Sequence, residues 1–105
     1  MIVFFDKQYL EELYTKGTTK DKHHRYQPDI VRRYQKAINF MKNSSSMREL
    51  AKIRSLNLET LHGDRNGLNS VRVNDKYRIE FKVEENDEEP VMTLCNIIEL
   101  TNHYK

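Results

Sequence analysis

Residues 76–83, Lys-Tyr-Arg-Ile-Glu-Phe-Lys-Val, alternate between apolar and charged side chains without a break. A period of two is the signature of a β-strand with one face on a core. Tyr77, Ile79, Phe81 and Val83 then point one way. Lys76, Arg78, Glu80 and Lys82 point the other. The apolar face must sit on helices, and the charged face is left for solvent or a ligand.

The helices that could cover such a strand are legible upstream. Ile2 to Phe5 reads as a short strand, and Asp6 as the cap of a helix from Lys7 to Lys16. Tyr9, Leu10, Leu13 and Tyr14 share one stripe of that helix, and Gly17 stops it. Residues 17–27 are polar and form a loop that is long for so small a domain. Pro28 suits the first turn of a second helix, in which Ile30, Tyr34, Ala37, Ile38 and Met41 recur at helical spacing. Asn43-Ser44-Ser45 ends it. Ser46-x-x-Glu49 is a capping box for a short third helix bearing Met47, Leu50, Ala51 and Ile53. After residue 55 the period returns to two: Leu56, Leu58 and Leu61 suggest a strand, and Asn66-Gly67 a tight turn. Leu68 to Val73 is the next strand, Asn74-Asp75 the next turn, and Val91 to about Leu100 the last strand. The expected class is α+β, with two to three N-terminal helices packed on a twisted, mainly antiparallel sheet.

The chain has 105 residues, which fits one domain spanning 1–105 with one economical core. Its single cysteine, Cys95, lies in an apolar run and reads as a small buried hydrophobe. The N-terminus turns polar at Asp6, too soon for a signal sequence or a membrane span, so a cytoplasmic setting without membrane contact is expected. The net charge of +2 hides a segregation. Basic residues dominate from Lys16 to Lys42, and acids from Glu84 to Glu89. A basic face suits either a polyanionic partner or plain solvation.

The charged side of the sheet suggests chemistry. Arg72 has the parity opposite to Val71 and Val73, so it can join Arg78, Lys76 and Lys82. His62 and Arg65 lie in the loop before, and His103, Tyr104 and Lys105 follow the last strand. Such a set matches the needs of RNA cleavage without a metal. A base removes the ribose 2′-hydroxyl proton, an acid protonates the departing 5′ oxygen, and fixed cations stabilise the phosphate. Arginine pairs with phosphate through a planar fork. Histidine titrates near pH ~6.5 and can give or take a proton. The same arginines also read as a solvated sheet face, and the tail as a frayed end. His23, His24, His62 and His103 show no metal-ligand spacing, and no Gly-rich phosphate loop exists, so no cofactor or metal is expected.

Several segments resemble the HigB-like toxins of the RelE/ParE superfamily. They are Met1–Asp6 with Leu13-Tyr14-Thr15-Lys16-Gly17, the loop Leu61-His62-Gly63-Asp64-Arg65-Asn66-Gly67, the hairpin from Ser70 to Phe81, and Asn96–Lys105. The resemblance implies a RelE-like compact ribonuclease fold. It also implies a toxin of a type II toxin–antitoxin system that cleaves messenger RNA in the ribosomal A site and inhibits translation. Arg78 matches the family's sheet arginine, and Arg65 the arginine of its Gly-Asp-Arg loop. His62 stands where a lysine is common. Glu59 stands where several relatives carry a histidine, and the tail reads Asn-His-Tyr where many read Asp-Tyr-His. His103 leads for proton transfer, then Tyr104, with His62 and Glu59 as rivals. Arg65, Arg72, Lys76, Lys82 and Lys105 would bind RNA. The implied partners are ribosome, messenger RNA and a HigA-like helix-turn-helix antitoxin, which the basic helix face would dock; the toxin alone would be a monomer. A ParE-like toxin that inhibits DNA gyrase without nuclease activity is the alternative, and a non-catalytic nucleic-acid-binding domain a third reading.

Overall fold

The computed structural model of the protein describes residues 1–65, 67–86 and 88–102, the side chain of Arg65 excepted. The elements follow in the order β1 (Ile2–Phe5), α1 (Gln8–Thr15), α2 (Pro28–Asn43), α3 (Met47–Ala51), β2 (Glu59–Thr60), β3 (Asn69–Arg72), β4 (Arg78–Glu85) and β5 (Thr93–Thr101). The strands form one sheet in the order β1-β5-β4-β3-β2. β1 runs parallel to β5, and every other pairing is antiparallel. The helices cover one face, which gives the expected α+β architecture. Leu10, Leu13, Tyr34, Ile38, Met41 and Leu50 from the helices meet Val71, Ile79, Phe81, Cys95 and Ile97 from the sheet in one buried cluster. None of the helices among the described residues is long and apolar enough to cross a membrane.

The alternation on β4 holds, and β5 adjusts to it through a bulge. Glu80 pairs with Glu99, but the next residue, Phe81, pairs with Ile97. Ile98 therefore has no counterpart on β4. One extra residue reverses the parity of a strand beyond it. Cys95 and Ile97 enter the core before the bulge, and Leu100 enters it after. Strict alternation would have driven Glu99 inward instead.

Local chemistry sets the helix ends. The Ser46 side chain accepts the Glu49 N–H at 3.2 Å, as the capping box requires. Pro28 occupies the first turn of α2. Asp6 does not cap α1; the cap position is Lys7, with no side-chain bond. The Asp6 N–H instead donates to Ile97 O at 2.8 Å, so this residue prolongs the pairing of β1 with β5. The strand expected around Leu56, Leu58 and Leu61 is also reduced. Arg54–Leu56 form a 3₁₀ turn, Asn57 is left-handed, and β2 holds only two residues. The left-handed residue breaks the period, so Leu56 and Leu58 are not successive residues of one strand face.

The long loop before α2 is fastened down. Tyr26 donates its hydroxyl to Leu100 O at 2.9 Å, and its ring meets Tyr77 edge-on. His24, expected in a solvated loop, is half-buried: its ring stacks on Tyr9 with centroids 3.6 Å apart, and Nδ1 lies 2.9 Å from the Asp21 carboxylate. That hydrogen bond, with one from the His23 N–H, holds the Asp21 carboxyl below its usual range. The buried Tyr34 hydroxyl donates to Leu10 O at 2.8 Å, tying α2 to α1. The Tyr9 hydroxyl is buried near Leu100 O and the Tyr26 hydroxyl but makes no hydrogen bond of good geometry among the described residues. Burial pushes the Tyr9 phenol up to about 12 and the Cys95 thiol up to about 11, and raises Tyr26 and Tyr34 as well. None of these groups is a base or nucleophile at neutral pH, which fits the structural reading of Cys95.

Deleting Ile98 removes the extra residue and leaves Cys95, Ile97 and Leu100 facing the core in strict alternation, with Glu99 still on the polar face, so the variant should keep a cooperative urea transition. Ile98→Thr, which keeps the bulge, should unfold within about 1 kcal/mol of the parent, as half-exposed positions do. Tyr9→Phe removes a buried hydroxyl that makes no hydrogen bond of good geometry and should be close to neutral at pH 7. A tyrosine whose folded pKa exceeds its unfolded value contributes fully below pH 10.0 and loses that contribution as pH rises through about 12. Tyr9→Phe should therefore show a shallower alkaline loss of stability in urea titrations above pH 10.

Candidate active site

The face of β3, β4 and β5 away from the helices carries polar residues that are nevertheless buried. Ser70, Arg78, Glu80 and Thr101 are 0%, 7%, 5% and 4% exposed. Cross-strand register groups them: Arg78 lies opposite Arg72 on one side and Thr101 on the other, and Glu80 opposite Ser70 and Glu99. The sequence placed Arg78 on an exposed face. It is on that face, but it is covered.

The cover comes from the segment that leads into β2. Arg78 reaches diagonally across β3, where Nε donates to Ser70 Oγ at 2.9 Å and Nη2 to Ser70 O at 3.3 Å. Diagonal neighbours of this kind lie within reach of long side chains. Nη2 also donates to Asn57 O at 2.5 Å and stands 3.8 Å from Glu59 Oε2. Asn57 Nδ2 in turn donates to Glu59 Oε1 at 3.2 Å. The Glu59 side chain remains 47% exposed, so its carboxylate faces both the guanidinium and solvent. Hydrogen bonds through two of its nitrogens fix the plane of the Arg78 guanidinium. A fixed cation beside a solvent-accessible carboxylate can hold an anion and move a proton.

The other expected residues divide. Arg72 pairs with Asp75 rather than joining Arg78. It lines a cleft of about 280 Å³ with Arg33, Lys36, Phe40 and Ser55. Lys76 lies in the wall of an adjoining cleft that shares Arg33 and Arg72. These cations therefore line the clefts beside α2. Within that turn Asn74 Oδ1 accepts the N–H groups of Lys76 and Tyr77 at 2.9 and 2.7 Å. Lys82 is exposed opposite Asn96. It lies four positions along the strand from Arg78, roughly 13 Å away. His62 is exposed just before the 3₁₀ turn Gly63–Arg65, in a loop closed at its base by Leu61 N–H to Leu68 O at 2.9 Å. The side chain of Arg65, the Asn66 position of the expected Asn66-Gly67 turn, and the whole of His103, Tyr104 and Lys105 lie outside the described residues.

Asn57 and Ser70 were not singled out by their own chemistry in the sequence. Ser70 stood only within the family-like hairpin. Asn57 offered one weak signal: an asparagine, the residue that best tolerates left-handed backbone after glycine, interrupts the leucine alternation.

Comparison with known proteins agrees with this architecture. A solved YoeB/ParE toxin from Agrobacterium tumefaciens superposes with a TM-score of 0.57 at 17% identity, covering 99% of this chain and 100% of that one. A YoeB–YefM complex from Staphylococcus aureus superposes with a TM-score of 0.58 at 17% identity, covering 99% and 98%. A heterotetrameric complex of the YoeB–YefM toxin–antitoxin from the same organism gives 0.58 at 18%. No curated protein sequence matches the chain. At such identities the structures share the fold alone. The sequence itself goes further: a family profile for RelE-like toxins of the type II toxin–antitoxin system HigB matches residues 3–93, most of the length, and this protein is therefore a member of the HigB-like toxin family.

Proposed function

We propose that this toxin is an endoribonuclease that cleaves messenger RNA in the ribosomal A site without a metal, and that Arg78 stabilises the scissile phosphate. The observation that carries the reading is the Arg78 guanidinium, held rigidly beside the Glu59 carboxylate on the sheet face of a HigB-like toxin. The ribose 2′-oxygen attacks the adjacent phosphorus as a base takes its proton. The bond to the 5′ oxygen breaks as an acid supplies a proton, leaving a 2′,3′-cyclic phosphate and a 5′-hydroxyl. Charge builds on the phosphate oxygens in between, and a cation already in place needs no reorganisation to meet it. Glu59 is suited to the base by its position and exposure. His103 is assigned the acid, with Tyr104 second, because β5 ends at Thr101 directly opposite Arg78 and the tail departs from there. His62, exposed in the neighbouring loop, and Arg65, Lys82 and Lys105 are assigned to RNA contact, and Arg72 and Lys76 to the basic cleft along α2.

A cognate antitoxin controls the activity by protein contact. Support comes from the type II family and from two structural neighbours that are toxin–antitoxin complexes. A HigA-like helix-turn-helix protein is the proposed partner, and an acidic segment of it would fit the cleft of Arg33, Lys36 and Arg72. The gyrase-directed alternative, which rested on the shared superfamily, is not favoured, since the family profile that matches is of the HigB kind.

Single-turnover cleavage on programmed ribosomes tests the chemistry. Arg78→Ala should lose on the order of 10²-fold or more. Arg78→Lys keeps the charge but not the planar fork and should also be slow, which guards against a folding defect in the alanine variant. Glu59→Gln and His103→Ala should each lose about 10² to 10⁴-fold. A folded Arg78→Lys protein that cleaves like the parent would overturn the role of Arg78. Separately, Arg33→Glu with Lys36→Glu should leave the toxin active but resistant to the protein encoded beside it. Unchanged neutralisation in a growth assay would remove the cleft as the docking surface.

A further inference from the structure

We infer that Asn57 is a positioning residue, which holds the Arg78 guanidinium and the Glu59 carboxylate at a fixed separation; the inference rests on the cleavage reading above. Asn57 has φ 42° and ψ 61°, and it is the only non-glycine residue of positive φ among the described residues. Its N–H closes the 3₁₀ turn on Arg54 O at 3.1 Å. That left-handed turn aims its carbonyl at Arg78 Nη2, 2.5 Å away, and its side-chain amide at Glu59 Oε1, 3.2 Å away. One residue thus touches both partners through different groups, backbone to the cation and side chain to the anion.

The identity of the residue follows from these two tasks. Glycine adopts the left-handed backbone freely but has no amide to give Glu59. Aspartate tolerates the backbone but sets a second carboxylate against the first. Alanine and the β-branched residues resist the conformation, because their Cβ crowds the carbonyl there. Asparagine meets both demands. The consequence is the spacing of the ion pair. With Oε1 tied to Asn57, Oε2 stands 3.8 Å from Nη2, beyond hydrogen-bond range. A carboxylate left untied could rotate into a two-bond fork with the guanidinium, which would occupy both of its oxygens and remove it from proton transfer.

The test uses the full chain. Asn57→Gly keeps the backbone and removes only the amide. Its thermal transition should match that of the parent, and the ¹³C resonance of the Glu59 carboxylate should move. On programmed ribosomes its single-turnover rate at saturation should fall about 10 to 100-fold, the scale of a small misplacement, while the half-saturating ribosome concentration stays within about twofold. In a Glu59→Ala background the same change should cost nothing further, whereas a merely structural role would give additive losses. Asn57→Val, which swings the carbonyl away, should additionally average the Nη resonances of Arg78. The inference is overturned if Asn57→Gly leaves the Glu59 resonance and the rate unchanged, or if its loss is confined to half-saturation or adds fully to that of Glu59→Ala. A parent protein that cleaves no RNA would end the cleavage reading, and the resonances of Glu59 and Arg78 would still decide whether Asn57 positions them.

Discussion

The antiparallel pairing of β4 with β5 is the constraint on which the rest of this molecule depends. β4 carries the central alternation, and β5 is the strand on which both β1 and β4 register. Ile79 and Phe81 are fully buried because β5 presents Leu100 and Ile97 opposite them. That match exists only because Ile98 is left out of the ladder. The bulge does two things at once: it brings Leu100 into the core and turns Glu99 and Thr101 to the polar face. The same register sets Thr101 against Arg78, so the chain leaves the sheet beside the candidate site.

The polar face is organised by the cost of burying a charge. A guanidinium taken out of water must be hydrogen-bonded and electrically balanced, or the site is strongly destabilised. Arg78 meets that demand with Ser70, the backbone of Asn57 and the nearby Glu59. Those partners are drawn from β3, from β2 and from the turn before it, so the charge helps dock a segment that has little regular structure of its own. Rigidity of this kind is what electrostatic stabilisation of a transition state needs, since donors that are already oriented spend no energy reorganising. The cations that do not join Arg78 gather along α2, where an Arg72–Asp75 pair and two connected clefts form a second basic region. Among the described residues Arg78 is therefore shielded and fixed, while the cations along α2 line open clefts.

Much of this was legible in the residues, because helices and strands announce themselves through side-chain period. The stripes of α1 and α2, the capping box at Ser46, the stop at Gly17 and the alternation of β4 are all local signals, and all appear at the expected places. The errors are local as well. Asp6 looked like a cap but is drawn into the sheet by Ile97, a residue at the other end of the chain. Leu56 and Leu58 looked like one strand, but a left-handed asparagine stands between them. The loop before α2 looked merely polar, yet Tyr26 and His24 fasten it to β5 and α1.

By itself the sequence determined the class of fold, the two layers and the side of β4 on which Arg78 emerges, since each depends on spacing within a few residues. Tertiary structure decided everything that turns this side chain into a site. Arg78 and Asn57 are 21 residues apart, and no periodicity relates them. Whether an arginine on a polar face is solvated or covered depends on which loop folds over it. Whether Arg72 joins it depends on how the β3–β4 turn brings Asp75 to it. Distances between groups, unlike patterns along a strand, exist only once the chain has closed on itself.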